Sequence, residues 1–205
     1  MKPEAVLTGD LIHSQSAGNT LAYIARLEKV LGQQEKRYQA KADIFRGDGF
    51  QLLMSQPEQA FHCAIALRAA LIEASPEGER WDARIAVGIG SARKSQTYGE
   101  AFVLSGQGLD SMKKNTLAVF CNHQEFQERA GLVTEFVAAV LEEWTVVEAQ
   151  TYALHLIEET NQQTIAHSLG KSRVTINKAL QRAQARLLDK YLASTSRWIK
   201  ELGSD

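Results

Sequence analysis

The chain has 205 residues, of which 44% are hydrophobic and 23% charged, with a formal net charge of -1. That balance supplies ample material for a core and excludes a disordered, collagen-like or disulfide-scaffolded chain. No apolar run approaches the ~20 residues of a membrane span, and "MKPEAVLTGD" lacks a signal-peptide core, so a cytoplasmic setting without membrane contact is expected.

In chain order, "EAVLTGDLI" reads as a buried strand ending at Gly9-Asp10, and Leu21, Ile24, Leu27, Val30 and Leu31 follow at helical spacing. "KADIFRGDGFQLLMS" reads as two strands joined by a Gly-Asp-Gly turn. Pro57 opens a second helix, with Ala60, Phe61, Ala64, Ile65, Leu67 and Leu71 on its inner side. "WDARIAVGIGSA" is a long buried strand whose Gly88 and Gly90 predict a close backbone approach. A helix over "GEAFVLSGQGLDSMKKN" and a strand at "TLAVFCN" complete this half. The order β-α-β-β-α-β-α-β is that of a ferredoxin-like core with an added helix–strand unit, so the fold class is α+β.

After Asn122 the strand patterns stop. Helices are expected over "EFQERAGLVTEFVAAVLEEW", "VVEAQTYALHLIEE" and "NQQTIAHSLG", with one long helix from about Arg173. The first of these is expected to pack between domains or between subunits. The implied organisation is a sheet domain over 1–122, a connecting helix over 123–145 and an all-α domain over 146–205.

Within "NQQTIAHSLGKSRVTINKALQRAQARLL", Ile165 and Leu169 share a face, Gly170 suits a helix C-cap, and Ser172 can cap the next helix. Ile176, Ala179 and Leu180 form that helix's inner side. Two helices joined by a short glycine-containing turn make a helix-turn-helix, and the segment resembles that of bacterial transcription regulators. The resemblance implies a second helix in the major groove, with Arg173, Thr175, Asn177, Lys178, Gln181 and Arg182 outward and Lys171 and Ser172 near the phosphates. Basic residues outnumber acidic ones from Lys171 to Lys200, as phosphate contact requires.

Asp10 ends the first strand and Asp48 sits in the hairpin, so neighbouring first and third strands would bring both carboxylates to one end of the sheet. Two carboxylates repel without a cation between them, and Mg²⁺ takes one or two carboxylates plus substrate phosphates. The backbone of Leu11, Ile12, His13 and Ser14 would offer N–H groups to an anion at a helix N-terminus. From Ala5 to Asn122 this layout resembles the class III nucleotidyl cyclase catalytic domain, related to the GGDEF and palm polymerase families. "VLTGDLIHS" is similar to the cyclase first-strand motif and "FRGDGFQLLM" to the hairpin motif, which implies Mg²⁺ or Mn²⁺ on Asp10 and Asp48. "ARIAVGIGSA" is similar to the strand before the dimer-interface helix, and "YGEAFVLSGQGLDSMKK" falls where that helix carries GDxVNxAxR. The chain departs from the pattern at Val103 and Gln107, where the resemblance implies Asn and Arg, and at Ile44, where it implies a base-reading Lys or Glu. Losing donors aimed at a transferring phosphoryl group costs orders of magnitude in rate, so binding rather than turnover is expected.

The whole chain, with "EEWTVVEAQ" between its halves, resembles the SatD family, which implies this domain pairing and a cytoplasmic setting. The combined expectation is a homodimeric DNA-binding regulator that senses a nucleotide or phosphorylated small molecule with a divalent ion. The alternative is a divergent metal-dependent cyclase or nucleotidyl transferase using the same two aspartates. His62 and Cys63 read as packing residues, Trp81 and Trp144 as core anchors, and Trp198 as a dimer or tail contact. His123, His155 and His167 lack ligand spacing.

Overall fold

The apolar first strand, β1 (Pro3–Leu11), is paired on both edges, antiparallel with β3 (Gly49–Met54) and with β4 (Ala83–Ser91). The computed structural model describes residues 3–45, 47–91, 99–157 and 161–203; Ala92, Glu158 and Glu159, at the ends of expected elements, lie outside them. β2 (Ala40–Phe45) pairs outside β3, and β5 (Leu117–Cys121) runs parallel to β4, giving the order β2-β3-β1-β4-β5. The first four strands have the ferredoxin-like order and the fifth is the added unit, as the sequence pattern predicts.

Side chains alternate across β1, so Ala5, Leu7 and Leu11 face one layer while Val6, Thr8 and Asp10 face the other. α1 (Thr20–Tyr38) and α2 (Ala60–Ile72) supply the first layer. Pro57 opens a 3-10 turn over Pro57–Gln59 that leads into α2, rather than opening the α-helix itself. On the second layer, α3 (Glu100–Ser111) lies so close to β4 that a Cβ at Gly88 would stand 2.3 Å from the Ala101 carbonyl oxygen. Only glycine allows that approach.

α4 (Gln124–Glu142) packs on β5, and α5 (Val146–Ile157) packs on α2. α6 (Gln162–Ser168), α7 (Arg173–Arg182) and α8 (Ala185–Leu202) follow. The single long helix expected from Arg173 is therefore two helices. Gln184, at φ 58°, turns the chain so that both Leu180 of α7 and Leu188 of α8 reach the interior. Burying a leucine from each helix, at roughly 1.5–3 kcal/mol apiece, outweighs the roughly 1–2 kcal/mol cost of one left-handed residue.

α2 is buried on almost every side because the sheet and α1 cover one flank and α5 and α8 the other. One apolar cluster consequently runs from Leu7, Leu52 and Ile85 through α2 to Tyr152, Leu180 and Leu188. Trp81 stacks on Tyr23 with ring centroids 4.7 Å apart, and Trp144 packs on Tyr152 while donating to the Ala183 carbonyl. Trp198 lies under the Arg129 guanidinium. Among the described residues no helix is long and apolar enough to cross a membrane.

Candidate functional site

Register brings the two aspartates to the same end of the sheet. Asp10 pairs across from Gly49 on β3, and the Leu11 N–H donates to the Asp48 carbonyl at 3.2 Å. Each carboxylate nevertheless has a partner of its own. Asp10 lies opposite Arg84 on β4, which donates from Nε to Oδ1 at 2.9 Å and from Nη2 to Oδ2 at 2.5 Å. Arg84 Nη1 also donates to the Met112 carbonyl, fixing the guanidinium from a third direction. The Asp10 hydrogen bond raises the Arg84 pKa against a smaller loss from desolvation. Asp48 accepts from the buried Ser14 hydroxyl at 2.5 Å.

A divalent ion here would have to displace partners that the protein already supplies. Mg²⁺ demands near-octahedral oxygen ligands, and both Asp10 oxygens are already held by a cation that the protein supplies. Among the described residues no group of three or more His, Cys, Asp or Glu side chains is placed to hold a metal. The expected anion cradle is also largely used internally. The Leu11 N–H goes to Asp48, the Ile12 N–H to the Asp82 carbonyl at 2.9 Å, and His13 takes a left-handed φ of 56° before a three-residue turn. α1 begins only at Thr20, capped by Asn19, so no α-helix N-terminus faces this end at residues 11–14. Ile44, Val103 and Gln107 are exposed, and none offers a cationic donor.

A charged group that sequence reasoning passed over lies just beneath. Arg68, fully buried in α2, donates to Asp82 from Nε at 2.8 Å and from Nη2 at 2.7 Å. Arg80 donates to the same carboxylate at 2.9 Å and reaches on to the carbonyls of Leu141 and Trp144. The Tyr23 hydroxyl donates to the Asp82 carbonyl, and burial raises the tyrosine pKa well above its ordinary value. The available signal was a lone arginine inside the otherwise apolar "AIALRAALI", since unpaired charge is not buried there.

The second candidate is α6, its turn and α7. Asn161 caps α6 by accepting from the N–H groups of Gln163 and Thr164. The chain then reverses through Gly170 at φ 59°, with the Lys171 N–H donating to the Ala166 carbonyl at 2.9 Å. Ser172 caps α7 by accepting from the Thr175 N–H at 3.1 Å. Ile165, Ala166, Ile176, Ala179 and Leu180 are buried between these helices and their neighbours. Lys171, Ser172, Arg173, Thr175, Asn177, Lys178 and Gln181 are all exposed.

Three of the outward residues have more specific places. Arg182 donates to Glu148 of α5 at 2.7 Å, so it ties α7 to α5 rather than standing free. Burial pushes the Glu148 pKa up, but hydrogen bonds from Thr145 and Arg182 outweigh it and hold the carboxyl below its usual range. Asn177 and Gln181 line an open groove of about 520 Å³ between α7 and α8, with Arg186 and Lys190 on its far wall. On the groove floor His155 Nε2 meets Asp189 at 3.0 Å, and the Tyr152 hydroxyl donates to the same carboxylate. His123 caps α4 and His167 stands exposed on α6, so the three histidines remain apart.

No family model and no curated protein sequence matches the chain. Among solved structures, it is similar to the active GGEEF domain of a diguanylate cyclase from Vibrio cholerae. That match has 16% identity and a TM-score of 0.46, over 60% of this chain and 85% of that one. A monomeric guanylyl cyclase domain of the RhoGC fusion protein from the aquatic fungus Blastocladiella emersonii matches at 17% identity and a TM-score of 0.41, over 55% and 77%. A bacterial light-regulated adenylyl cyclase matches at 12% identity and a TM-score of 0.43, over 57% and 74%. The chain itself is a mixed α+β protein built on one five-stranded sheet.

Proposed function

We propose that the chain is a DNA-binding regulator, with α6–turn–α7 as the reading element and the cyclase-like sheet as a body that binds but does not turn over a phosphorylated ligand. One observation carries the DNA reading. α7 buries Ile176, Ala179 and Leu180 while exposing Arg173, Asn177, Lys178 and Gln181, and of these Asn177 and Gln181 line an open groove shared with Arg186 and Lys190. Cations beside a concave surface attract a phosphate backbone, and amide side chains read base edges. The sheet end would engage a phosphate that competes with Asp10 for the Arg84 guanidinium. A homodimer suits this reading, because paired half-sites favour two-fold symmetry.

Binding of a labelled duplex, followed by fluorescence anisotropy across a salt series, tests the DNA reading. Wild-type affinity should fall steeply with salt, and Arg173→Ala with Lys178→Ala should lower the slope by about two, roughly one per lost phosphate contact. An unchanged slope in the double variant, or no binding to duplex by the wild type, overturns it.

A second reading, a metal-dependent nucleotidyl cyclase or transferase, is favoured by the β1–β3 register that sets Asp10 beside the Asp48 hairpin. Incubation with each nucleoside triphosphate and Mg²⁺ or Mn²⁺ separates the two. Pyrophosphate release that disappears in Asp48→Asn would establish turnover and remove the binding-only account.

A further inference from the structure

Val174 stands where a helix that needed only to be soluble would carry a polar side chain. It is 65% exposed, and a β-branched residue lowers helix propensity, so it serves neither the core nor the helix. At about 3.6 residues per turn, Ile176, Ala179, Leu180 and Ala183 mark the buried side of α7, and Val174 points almost directly away from it. Lys178 and Gln181 follow on the same outward line, one and two turns further on. The first turn of α7 also borders an open hollow of about 470 Å³, lined by Gln162 at the start of α6 and by Arg173, Val174 and Asn177. The hollow therefore has a small apolar wall among two amides and a guanidinium. From Lys171 to Leu188 the sequence holds no Asp or Glu.

A partner protein does not suit this place. An interface of ordinary size buries about 800 Å² on each side, far more than one valine among polar neighbours supplies. A membrane surface takes a helix through a continuous apolar face, which α7 keeps for the interior. The major groove of duplex DNA matches. There thymine presents a single C5-methyl group among hydrogen-bonding base edges, with phosphates on either side for the cations. The N-terminal residues of a recognition helix are those that reach base edges, and Val174 lies in the first turn of α7. Resting on the DNA-binding reading above, we propose that Val174 is a specificity residue that packs on a thymine methyl group, with the Asn177 amide hydrogen-bonding a base edge beside it.

Selection from a random-sequence duplex pool with the full chain supplies the probe. Each thymine of the enriched duplex is then replaced singly by deoxyuridine, which removes the methyl group and nothing else. In fluorescence anisotropy one such replacement should weaken wild-type binding about fourfold, the worth of one buried methyl-sized group. In Val174→Ala the same replacement should change affinity by less than about 1.5-fold, because the methyl group has lost its contact. That variant keeps its fold, since the site is exposed and alanine favours helix; circular dichroism checks it. Arg173→Ala with Lys178→Ala should weaken binding to both duplexes alike and keep about the same fourfold ratio, as loss of phosphate contacts requires. Salt-dependent binding with no enriched sequence, or with no thymine whose methyl group matters, overturns this inference and leaves the DNA-binding reading standing. So does a methyl effect that persists in Val174→Ala. A wild-type chain that binds no duplex removes both.

Discussion

Arg84 grips both carboxylate oxygens of Asp10 across the β1–β4 pair, with Nε and Nη2 at 2.9 and 2.5 Å. A charge that would otherwise require an external cation is balanced from within the sheet. The acidic end is therefore stable as it stands, and any ligand there must compete with an existing pair.

Removing Arg84 should expose that competition. In Arg84→Ala, Asp10 and Asp48 stand as two adjacent carboxylates without a guanidinium, and Mn²⁺ should bind roughly five- to tenfold more tightly than to the wild type. Paramagnetic titration of free Mn²⁺ measures this. Equal affinities in the two proteins would show that Arg84 does not hold the cation's place.

The Arg68–Asp82 pair governs stability instead. Both side chains are almost fully buried, and Nη1 of Arg68 has no partner among the described residues. Arg68→Met leaves the Asp82 carboxylate with the half-exposed Arg80 and the Ala83 N–H, and should cost about 3–5 kcal/mol in urea unfolding. A loss below about 1 kcal/mol would mean that Arg80 and the Ala83 N–H satisfy the carboxylate without Arg68.

His62 gives the stability a pH dependence. Its Nδ1 is buried without a partner among the described residues, and burial lowers its pKa below the ordinary value, with Arg37 acting in the same direction and Asp189 opposing. The unfolded chain therefore takes up this proton more readily than the folded one. Stability is full above the unfolded pKa of about 6.5 and declines as pH falls through it. Thermal melts from neutral to mildly acidic pH should fall less steeply in His62→Asn than in the wild type. Parallel curves would contradict the assignment.

Gly88→Ala tests how closely α3 sits on the sheet. The new methyl group would meet the Ala101 carbonyl and the Ser105 N–H, both backbone groups that cannot move aside independently. A loss of about 3 kcal/mol or more is expected, near the upper end for overpacking, against little change in Gly106→Ala, where the space is open. Chemical denaturation decides it, and similar losses at both sites would refute the close-packing account.

Much of the fold was legible because its signals are local. The short apolar run in "EAVLTGDLI", the Gly-Asp-Gly turn and the caps Ser172 and Gly170 each act within a few residues of themselves, so strands, hairpin and the α6–α7 turn could be read directly. The break at Gln184 could not. Nothing in "QRAQARLL" forbids a continuous helix, and glutamine is not a turn residue by preference. Only burial of Leu180 and Leu188 in one interior makes the reversal favourable.

The sequence by itself determined the order of elements, the two aspartates at the end of β1 and in the hairpin, and the basic, capped α7. Their partners were decided only by tertiary structure. Strand register put Arg84 opposite Asp10, the turn after β1 brought Ser14 to Asp48, and docking of α5 against α2 and α7 gave Arg182 to Glu148. Charge compensation acts between residues distant in sequence and adjacent in space, so identity alone cannot show whether a carboxylate awaits a metal or already holds an arginine.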